Sequence, residues 1–230
     1  MNSTVNQTVI ENIIKEVVAE YAKKNLIPTG KLNTIPMELS ARHVHLSQKD
    51  IDALFNGTLT YKQELSQPGQ FLCNERVRVI GPKGIIENVA VLGPPREQSQ
   101  VEISITDARQ IGTNAPVRQS GDLVNTPGVI LASENGIVGL EEGLIIAGRH
   151  IHMTPEDAKR FNVKDKEKVC VHMNSIRPAV FEDVLIRTND NFKLAMHIDF
   201  DEANGCGWNA DATCKIIKDD KEAACGLYSA

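Results

Sequence analysis

The sequence has no long hydrophobic run, no basic cluster and few histidines. None of its apolar stretches approaches the roughly 20 residues of a membrane-spanning helix, and its start lacks a basic segment followed by an uninterrupted apolar core. The net charge is −5, and such a chain without a basic run is poorly suited to bind nucleic acid. We therefore expect no membrane segment, no secretory signal and no nucleic-acid partner.

The five cysteines are odd in number and include no C-x-x-C pair. This pattern argues against a disulfide framework and favours reduced thiols in a cytoplasm-like compartment. The apolar fraction of 41% and the charged fraction of 24% are those of an ordinary globular protein. At 230 residues the chain is long enough to bury one large core or two small ones.

Four of the six histidines lie in two heptapeptides of one pattern. Residues 41–47 read ARHVHLS and residues 148–154 read GRHIHMT. A helical pattern follows each of them, and Ser47 or Thr154 stands at the position of an N-cap. The repeat is therefore an apolar strand, a histidine pair, a cap and a short helix. Such a duplication predicts two related domains.

Most of the chain after residue 36 predicts short β-strands. Segments such as RVRVIGPKG, QVEISIT and KVCVHMNS are rich in Val and Ile and are separated by Gly, Pro, Asn or Asp. Many short strands at regular spacing favour barrels or sandwiches over a parallel doubly wound sheet. We predict a mainly β fold with short α-helices, in which residues 37–118 and 119–230 form two related β-rich domains, each a β-barrel or a sandwich, with exchange of strands between them allowed.

The N-terminal residues predict a separate helix. Residues 5–24 carry apolar side chains at helical spacing, among them Val5, Val9, Ile13 and Val17. Residues 25–36 contain two prolines and a glycine and predict a linker. We predict an amphipathic helix over residues 1–24, whose apolar side packs on its own barrel, on a dimer partner or on another protein.

Both histidine pairs have the spacing of a metal clamp. On a strand, side chains at i and i+2 point to the same side, so each pair presents two imidazole rings together. The residues between them, Val44 and Ile151, point to the opposite side, towards a core. Imidazole nitrogen is a good ligand for Zn²⁺, at roughly 2.0–2.1 Å. His197 is a fifth candidate, whereas His172 has no partner at ligand spacing. Chance similarity, or histidines that merely pack, are the alternatives to one shared metal site.

Longer motifs identify a family. The segments MELSARHVHLSQKDIDALF, LSQPGQF, VLGPPREQSQVEISITDAR, APVRQSGD, GRHIHMTPEDA and HIDFDEAN occur in this order over residues 36–204. Together they resemble the PduL-type phosphate propanoyltransferase (phosphotransacylase) family. The resemblance implies an enzyme of two barrels with a dinuclear zinc site, which interconverts acyl-CoA plus phosphate with acyl phosphate plus CoA.

The resemblance also implies roles for individual residues. Six positions match the ligands of two zinc ions: His43, His45 and Glu102 for the first, and His150, His152 and His197 for the second. Arg96 matches the arginine that binds phosphate and is the expected catalytic residue. Three further positions match contacts to CoA: Ser40, Lys83 and Asn204. The mechanism that we favour is direct attack on the thioester by phosphate that zinc and Arg96 hold.

One position departs from the family pattern. Where relatives usually carry an arginine that helps to hold CoA, in the strand before LGP, this chain has Ala90. The contacts to the nucleotide end of CoA are therefore weaker here, or another residue such as Lys62 supplies them.

The resemblance names partners as well as residues. They are CoA and short-chain acyl-CoA such as propanoyl-CoA, together with inorganic phosphate and acyl phosphate. The resemblance also implies a homo-oligomer, a dimer, in the cytoplasm and within a bacterial microcompartment, where the shell proteins are further partners. Relatives of this kind carry a short N-terminal amphipathic helix that directs them to the shell, so the resemblance implies that residues 1–24 serve as a targeting segment.

Two other functions stay open at this point. A dinuclear zinc hydrolase of thioesters would use the same ligands to activate water. A zinc-stabilised, shell-associated interaction protein would have no catalysis, although structural zinc sites are usually saturated and rich in cysteine. Arg42 and Arg149, which precede the histidine pairs, are expected to brace the repeat by ion pairs. Cys206 is expected to be a buried thiol and not an acyl-accepting nucleophile.

Overall fold

The computed structural model describes residues 33–217. The chain divides into two units, residues 1–34 and 35–230, and the fold below is that of the second unit. The predicted helix over residues 1–24 and most of the predicted linker over residues 25–36 lie outside the described residues. Among the described residues, no helix has the length and apolar character needed to cross a membrane.

Two sheets make up most of the described fold. The first is nine-stranded, in the order β7 (Val117–Arg118), β10 (Leu144–Ala147), β6 (Gln100–Glu102), β2 (His43–Ser47), β5 (Ile85–Arg96), β4 (Phe71–Ile80), β8 (Val129–Ala132) and β9 (Ile137–Leu140), with β3 (Tyr61–Glu64) paired to β4. The second is a closed barrel in the order β1 (Ile35–Leu39), β14 (Ala195–Ile198), β11 (His150–Met153), β13 (Ala179–Thr188), β12 (Lys168–Asn174) and β15 (Thr213–Ile216). The mainly β prediction is therefore confirmed, with barrel-like sheets.

The two sheets differ in closure. The barrel closes because β1 pairs with β15 through Ile35 and Cys214. The nine-stranded sheet instead ends at β7 and β9, which have no hydrogen-bonded strand beyond them within residues 33–217. The nine-stranded sheet therefore lacks the pairing of its two end strands that would close it into a barrel.

The chain exchanges strands between the sheets. The strand β1 pairs with β14 and β15, so it belongs to the barrel that the C-terminal half forms. In the other direction, β8, β9 and β10 belong to the nine-stranded sheet. Strands from both sides of residue 118 therefore meet in one fold. The predicted domain boundary between residues 118 and 119 stays a prediction, and strands cross it in both directions.

Four short helices follow strand ends. They are α1 (Gln48–Phe55), α2 (Ile105–Ile111), α3 (Pro155–Phe161) and α4 (Phe200–Cys206). The side chains of Ser47 and Thr154 accept hydrogen bonds from the N–H groups of Asp50 and Asp157, so both predicted N-caps are confirmed. Each cap satisfies a helix N–H group that would otherwise lack a partner.

Each sheet packs its own apolar core. Val44 lies in one core and Ile151 in the other, and both side chains have no exposed surface. The strands β2 and β11 therefore direct these side chains inwards and their histidines to the opposite side, as predicted. Cys206 is a free buried thiol, as expected, whereas Cys170 is disulfide-bonded, so the expectation of reduced thiols throughout is wrong.

Candidate metal and anion site

The strand register brings a third side chain beside each histidine pair. In the nine-stranded sheet, β2 and β6 are antiparallel and His43 aligns with Glu102. In the barrel, β11 and β14 are antiparallel and His150 aligns with His197. Directly aligned residues project to the same side of a sheet. The two halves of the chain thus build the same three-residue arrangement, with a carboxylate in one and an imidazole in the other.

The six side chains form two groups in one cavity. Within each group, one potential ligand atom per residue lies within 4.8 Å of the others, and the groups are His43, His45 and Glu102, and His150, His152 and His197. The rings of His150 and His197 stack with centroids 5.1 Å apart. All six residues line a cavity of about 400 Å³. The structure therefore brings together every residue that was predicted as a metal ligand.

A helix cap follows each ligand-bearing strand at a fixed offset. The ligand and the N-cap two residues later are His45 and Ser47, Glu102 and Ser104, His152 and Thr154, and His197 and Asp199. Each cap residue ends the strand and begins the helix. It therefore fixes the candidate ligand at the last positions of its strand. The offset was visible in the sequence for the two histidine pairs only.

Backbone carbonyls select the tautomer of one histidine in each group. Nδ1 of His43 lies 2.7 Å from the carbonyl oxygen of Ala41, and Nδ1 of His150 lies 2.9 Å from that of Gly148. A carbonyl oxygen only accepts, so Nδ1 donates in both rings. Nε2 of His150, a neutral ring, therefore keeps a lone pair for a metal ion, and Nε2 of His43 has one whenever that ring is neutral.

Other ring nitrogens in the cavity have no partner. Nδ1 of His45 and both ring nitrogens of His152 are buried without a hydrogen bond from the described residues. Buried polar atoms are normally satisfied, because leaving one unpaired costs about 1–3 kcal/mol. Buried imidazole nitrogens without partners, in one group of three imidazoles and one of two imidazoles and a carboxylate, fit a metal ion that is bound largely through nitrogen. The residues present therefore fit a metal site.

The protonation states suit a divalent cation. Burial, followed by the charge of neighbouring groups, lowers the pKa of His150 to about 4, of His152 to about 2 and of His197 to about 4. These rings are neutral at pH 7. Burial alone would also lower the pKa of His43, but the carboxylate of Glu102, 3.6 Å from its Nε2, outweighs burial and raises it.

The same pair holds Glu102 ionised. Burial acts to raise the pKa of this carboxyl group, yet the charges and hydrogen bond of His43, with a smaller effect of His45, lower it. A buried, ionised carboxylate between imidazoles is a strong attractor for a cation. Its side chain also accepts a hydrogen bond from Gln100, which fixes its direction.

Two arginines provide positive charge beside the ligands. Arg96, at the end of β5, donates from Nη1 to Oγ of Ser120 at 3.0 Å. Arg187, on β13, aligns with His152 on β11 and lines the same cavity. Burial lowers the pKa of both guanidinium groups, and the charge of Glu102 partly offsets this effect. Neither has a carboxylate within ion-pair distance among residues 33–217, so both are available to an anion.

Arg187 was missed by the sequence reasoning. It lies in the segment VLIRTND, which contains no recognised motif. Only the parallel pairing of β11 with β13, which are far apart in the chain, places it beside His152. The available signal was a charged residue directly after the apolar run VLI near the end of a strand.

The arginines before the two histidine pairs do brace the repeat. Arg42 Nη1 lies 3.2 Å from the carboxylate of Asp107 on α2, and Arg149 Nε lies 2.9 Å from that of Glu202 on α4. Both acids sit in the first turn of helices that follow the third ligand. Each ion pair thus ties the strand of the histidine pair to the strand of Glu102 or His197.

Of the three residues that were predicted to contact CoA, one lines the cavity and two do not. Ser40 lines the cavity, and its backbone N–H donates to the carbonyl oxygen of Ile198 at 2.8 Å. Lys83 lies in the turn between β4 and β5, with its N–H bonded to the carbonyl of Ile111, and Asn204 is exposed on α4. Neither Lys83 nor Asn204 lines the cavity. Their contact with CoA stays a prediction.

Comparison with known proteins identifies the family. The sequence profile described as phosphate propanoyltransferase matches residues 36–209. A phosphate propanoyltransferase of Clostridioides difficile (strain 630) is 50% identical over 211 residues, which cover 91% of this chain and 99% of that protein. One from Leptotrichia buccalis is 52% identical over 211 residues, with 91% and 98% covered. One from Shewanella putrefaciens is 54% identical over 184 residues, with 79% and 87% covered. The chain therefore belongs to the phosphate propanoyltransferase family, a family of acyltransferase enzymes.

Proposed function

We propose that this chain interconverts a short-chain acyl-CoA, such as propanoyl-CoA, plus phosphate with acyl phosphate plus CoA. The observation that carries the proposal is the cavity in which two three-residue ligand groups face Arg96 and Arg187. A metal site beside two unpaired cations is suited to an anionic substrate that must approach a thioester. The names of the relatives support the same activity.

The proposed cofactor is zinc, two ions per chain. His43, His45 and Glu102 would hold one ion, and His150, His152 and His197 would hold the other. Five imidazoles and one carboxylate suit zinc better than magnesium or calcium, which prefer oxygen ligands. Bound zinc would supply Lewis acidity for the thioester carbonyl and would stabilise the thiolate of CoA.

The arginines determine where phosphate lies. Arg96 and Arg187 offer guanidinium donors that can hold phosphate oxygens in a bidentate manner. Bound phosphate then has one oxygen directed at the thioester carbon. That oxygen forms the new C–O bond, and the C–S bond breaks with its electron pair remaining on sulfur. The products are acyl phosphate and CoA thiolate. Holding both reactants in one cavity contributes much of the rate, because it replaces a bimolecular encounter.

No acyl-enzyme intermediate is needed in this scheme. The thiol of Cys206 is buried in the barrel core, and burial raises its pKa. A protonated, inaccessible thiol is a poor nucleophile. Direct attack of phosphate therefore remains the favoured mechanism.

Further parts of the proposal rest on the sequence. Ser40, Lys83 and Asn204 are proposed to contact CoA, and the chain is proposed to form a homodimer. The family resemblance, together with the amphipathic pattern of residues 1–24, supports a proposed location within a bacterial microcompartment, with its shell proteins as partners.

The test is release of CoA from propanoyl-CoA by the zinc-loaded protein, measured with a thiol reagent with and without phosphate. We expect release that requires phosphate, together with formation of propanoyl phosphate. Release without phosphate would support the thioester hydrolase instead. No release under either condition, with zinc bound, would support the non-catalytic interaction protein.

A further inference from the structure

A third arginine of the cavity lies at a distance from the metal ligands. Arg76 on β4 aligns with Ala90 on β5, and Ala90 aligns with His43 on β2. Directly aligned residues share a face of the sheet, and both Arg76 and Ala90 line the cavity. Neighbouring strands are about 4.8 Å apart, so the backbones of Arg76 and His43 lie about 10 Å apart across two strand spacings.

The guanidinium group of Arg76 has unused donors. Its Nη1 donates to the carbonyl oxygens of Cys73 and Glu75, both at 2.6 Å. Its Nε and Nη2 donate to no group among residues 33–217, and no carboxylate there lies within ion-pair distance. The carboxylate of Glu75 accepts instead from the N–H and hydroxyl groups of Thr60. A half-buried cation with two free donor atoms therefore faces the cavity.

The neighbouring Arg78 shows what a surface arginine of the same strand does. Its Nε lies 2.7 Å from the carboxylate of Glu87 on β5, and the side chain is largely exposed. Arg78 does not line the cavity. Arg78 is thus a surface charge with an acidic partner, whereas Arg76 is a cavity charge without one among residues 33–217.

The surface between Arg76 and the metal ligands is apolar. Ala90, Leu92 and Leu72 line this part of the cavity, and Leu72 aligns with Leu92 across β4 and β5. The short side chain of Ala90 leaves room above the sheet. A ligand with a reactive group at the histidines, an uncharged middle and an anionic far end matches this order of side chains.

We infer that Arg76 binds a phosphate group of the CoA part of the acyl-CoA substrate. This inference rests on the proposed function, which places the thioester at the two ligand groups. The pantetheine arm, which carries no charge, lies over Ala90 and Leu92, and the first phosphates of CoA follow at its end. Arg76 then fills the role for which Lys62 was the expected candidate. Lys62 is exposed on β3 and does not line the cavity.

The decisive comparison uses two thioesters with the same acyl group. Propanoyl-CoA carries the phosphates, and propanoyl-pantetheine carries none. For Arg76→Ala we expect kcat/KM with propanoyl-CoA to fall roughly tenfold to a hundredfold, as for loss of a charge-assisted hydrogen bond. We expect kcat/KM with propanoyl-pantetheine and the KM for phosphate to be unchanged. Arg76→Lys should recover part of the loss, and the matched control Arg78→Ala should resemble the wild type.

A third substrate distinguishes the phosphates of CoA. Propanoyl-dephospho-CoA lacks the 3′-phosphate but keeps the pyrophosphate. If Arg76→Ala lowers kcat/KM with both nucleotide thioesters, Arg76 binds the pyrophosphate. If it lowers kcat/KM with propanoyl-CoA alone, Arg76 binds the 3′-phosphate. Either result supports the inference.

Two results would overturn the inference. An equal loss with propanoyl-CoA and propanoyl-pantetheine would show that Arg76 only supports the fold, and no loss with propanoyl-CoA would show that it does not contact the nucleotide. If the wild-type protein itself released no CoA in a phosphate-dependent manner, the proposed function would fail separately. Calorimetric binding of CoA and of pantetheine to wild type and Arg76→Ala would then still decide whether Arg76 holds a phosphate.

Discussion

At the scale of single residues, the cavity combines neutral candidate metal ligands with permanently charged arginines. Burial keeps His150, His152 and His197 neutral, so their lone pairs are available to a metal ion at pH 7. Arg96 and Arg187 keep their positive charge beside them because a guanidinium group retains its proton even when burial lowers its pKa. Metal binding and anion binding can therefore be altered independently.

Replacing His150 tests the metal assignment. His150→Ala removes a ring that packs against both His152 and His197, so we expect loss of about one zinc ion per chain and of most activity. Elemental analysis after gel filtration measures the first and the thiol assay the second. His172→Ala is the control, because His172 lies on β12 outside the cavity lining. Full activity of thoroughly chelated wild-type protein would contradict the assignment.

Replacing Arg96 tests the phosphate assignment. Arg96→Ala should raise the KM for phosphate roughly tenfold or more, because a charge-assisted contact is lost. The KM for propanoyl-CoA should change little, and Arg96→Lys should recover only part of the loss because lysine lacks the planar fork. Steady-state kinetics with each substrate varied in turn gives both values. Equal increases in the two KM values would argue against a specific contact with phosphate.

At the scale of secondary-structure elements, ion pairs join the strands that carry ligands. Arg149 directly precedes His150, and Glu202 belongs to α4, whose N-cap follows His197 by two residues. The pair therefore holds β11 and β14 together at the end where their histidines meet. Arg42 and Asp107 do the same for β2 and β6. The first helical turns thus set the separation of the ligands.

Removing one of these ion pairs should weaken metal binding without removing a ligand. For Arg149→Met we expect zinc affinity to fall roughly tenfold, in the range known for groups that orient metal ligands. Competition with a chromophoric chelator measures this affinity, and Arg149→Lys should recover part of it. Arg160→Met is the control, since the ion pair of Arg160 with Asp157 lies within α3. Unchanged affinity in Arg149→Met would mean that strand pairing alone positions the ligands.

At the scale of the whole molecule, exchanged strands tie the two sheets into one body. Because β1 completes the barrel, and β8, β9 and β10 complete the nine-stranded sheet, neither half of the sequence forms its own sheet alone. We therefore expect residues 35–217 to unfold together. Whatever residues 1–24 do should be separable from this unit, since the predicted linker follows them.

Deleting residues 1–24 tests this separation. We expect turnover, zinc content and thermal stability close to those of the full chain, together with less self-association and less recruitment to a compartment shell. Fusing the segment to a fluorescent protein should carry that protein into the compartment, which fluorescence microscopy would show. A deletion variant that misfolds or loses its zinc would place the segment within the fold and remove the main support for targeting.

Features that depend on neighbours in the chain could be predicted from the sequence. The alternation of a strand puts His43 and His45 on one side and Val44 on the other, and a cap such as Ser47 acts on N–H groups three residues away. Such patterns predicted the mainly β fold and the two histidine pairs. The longer motifs, through the family they resemble, supplied Glu102 and Arg96 and gave His197, already a candidate, its place among the ligands.

Contacts that depend on strand pairing between distant segments could not be predicted from the sequence and are seen only in the folded chain. Residues that stand far apart in the chain become neighbours only when a register is chosen, and no local pattern states that register. Pairing of β11 with β13 brings Arg187 beside His152, and pairing of β4 with β5 brings Arg76 opposite Ala90. The sequence likewise does not show which sheet contains β1. This strand belongs to the barrel because its two edges pair with β14 and β15.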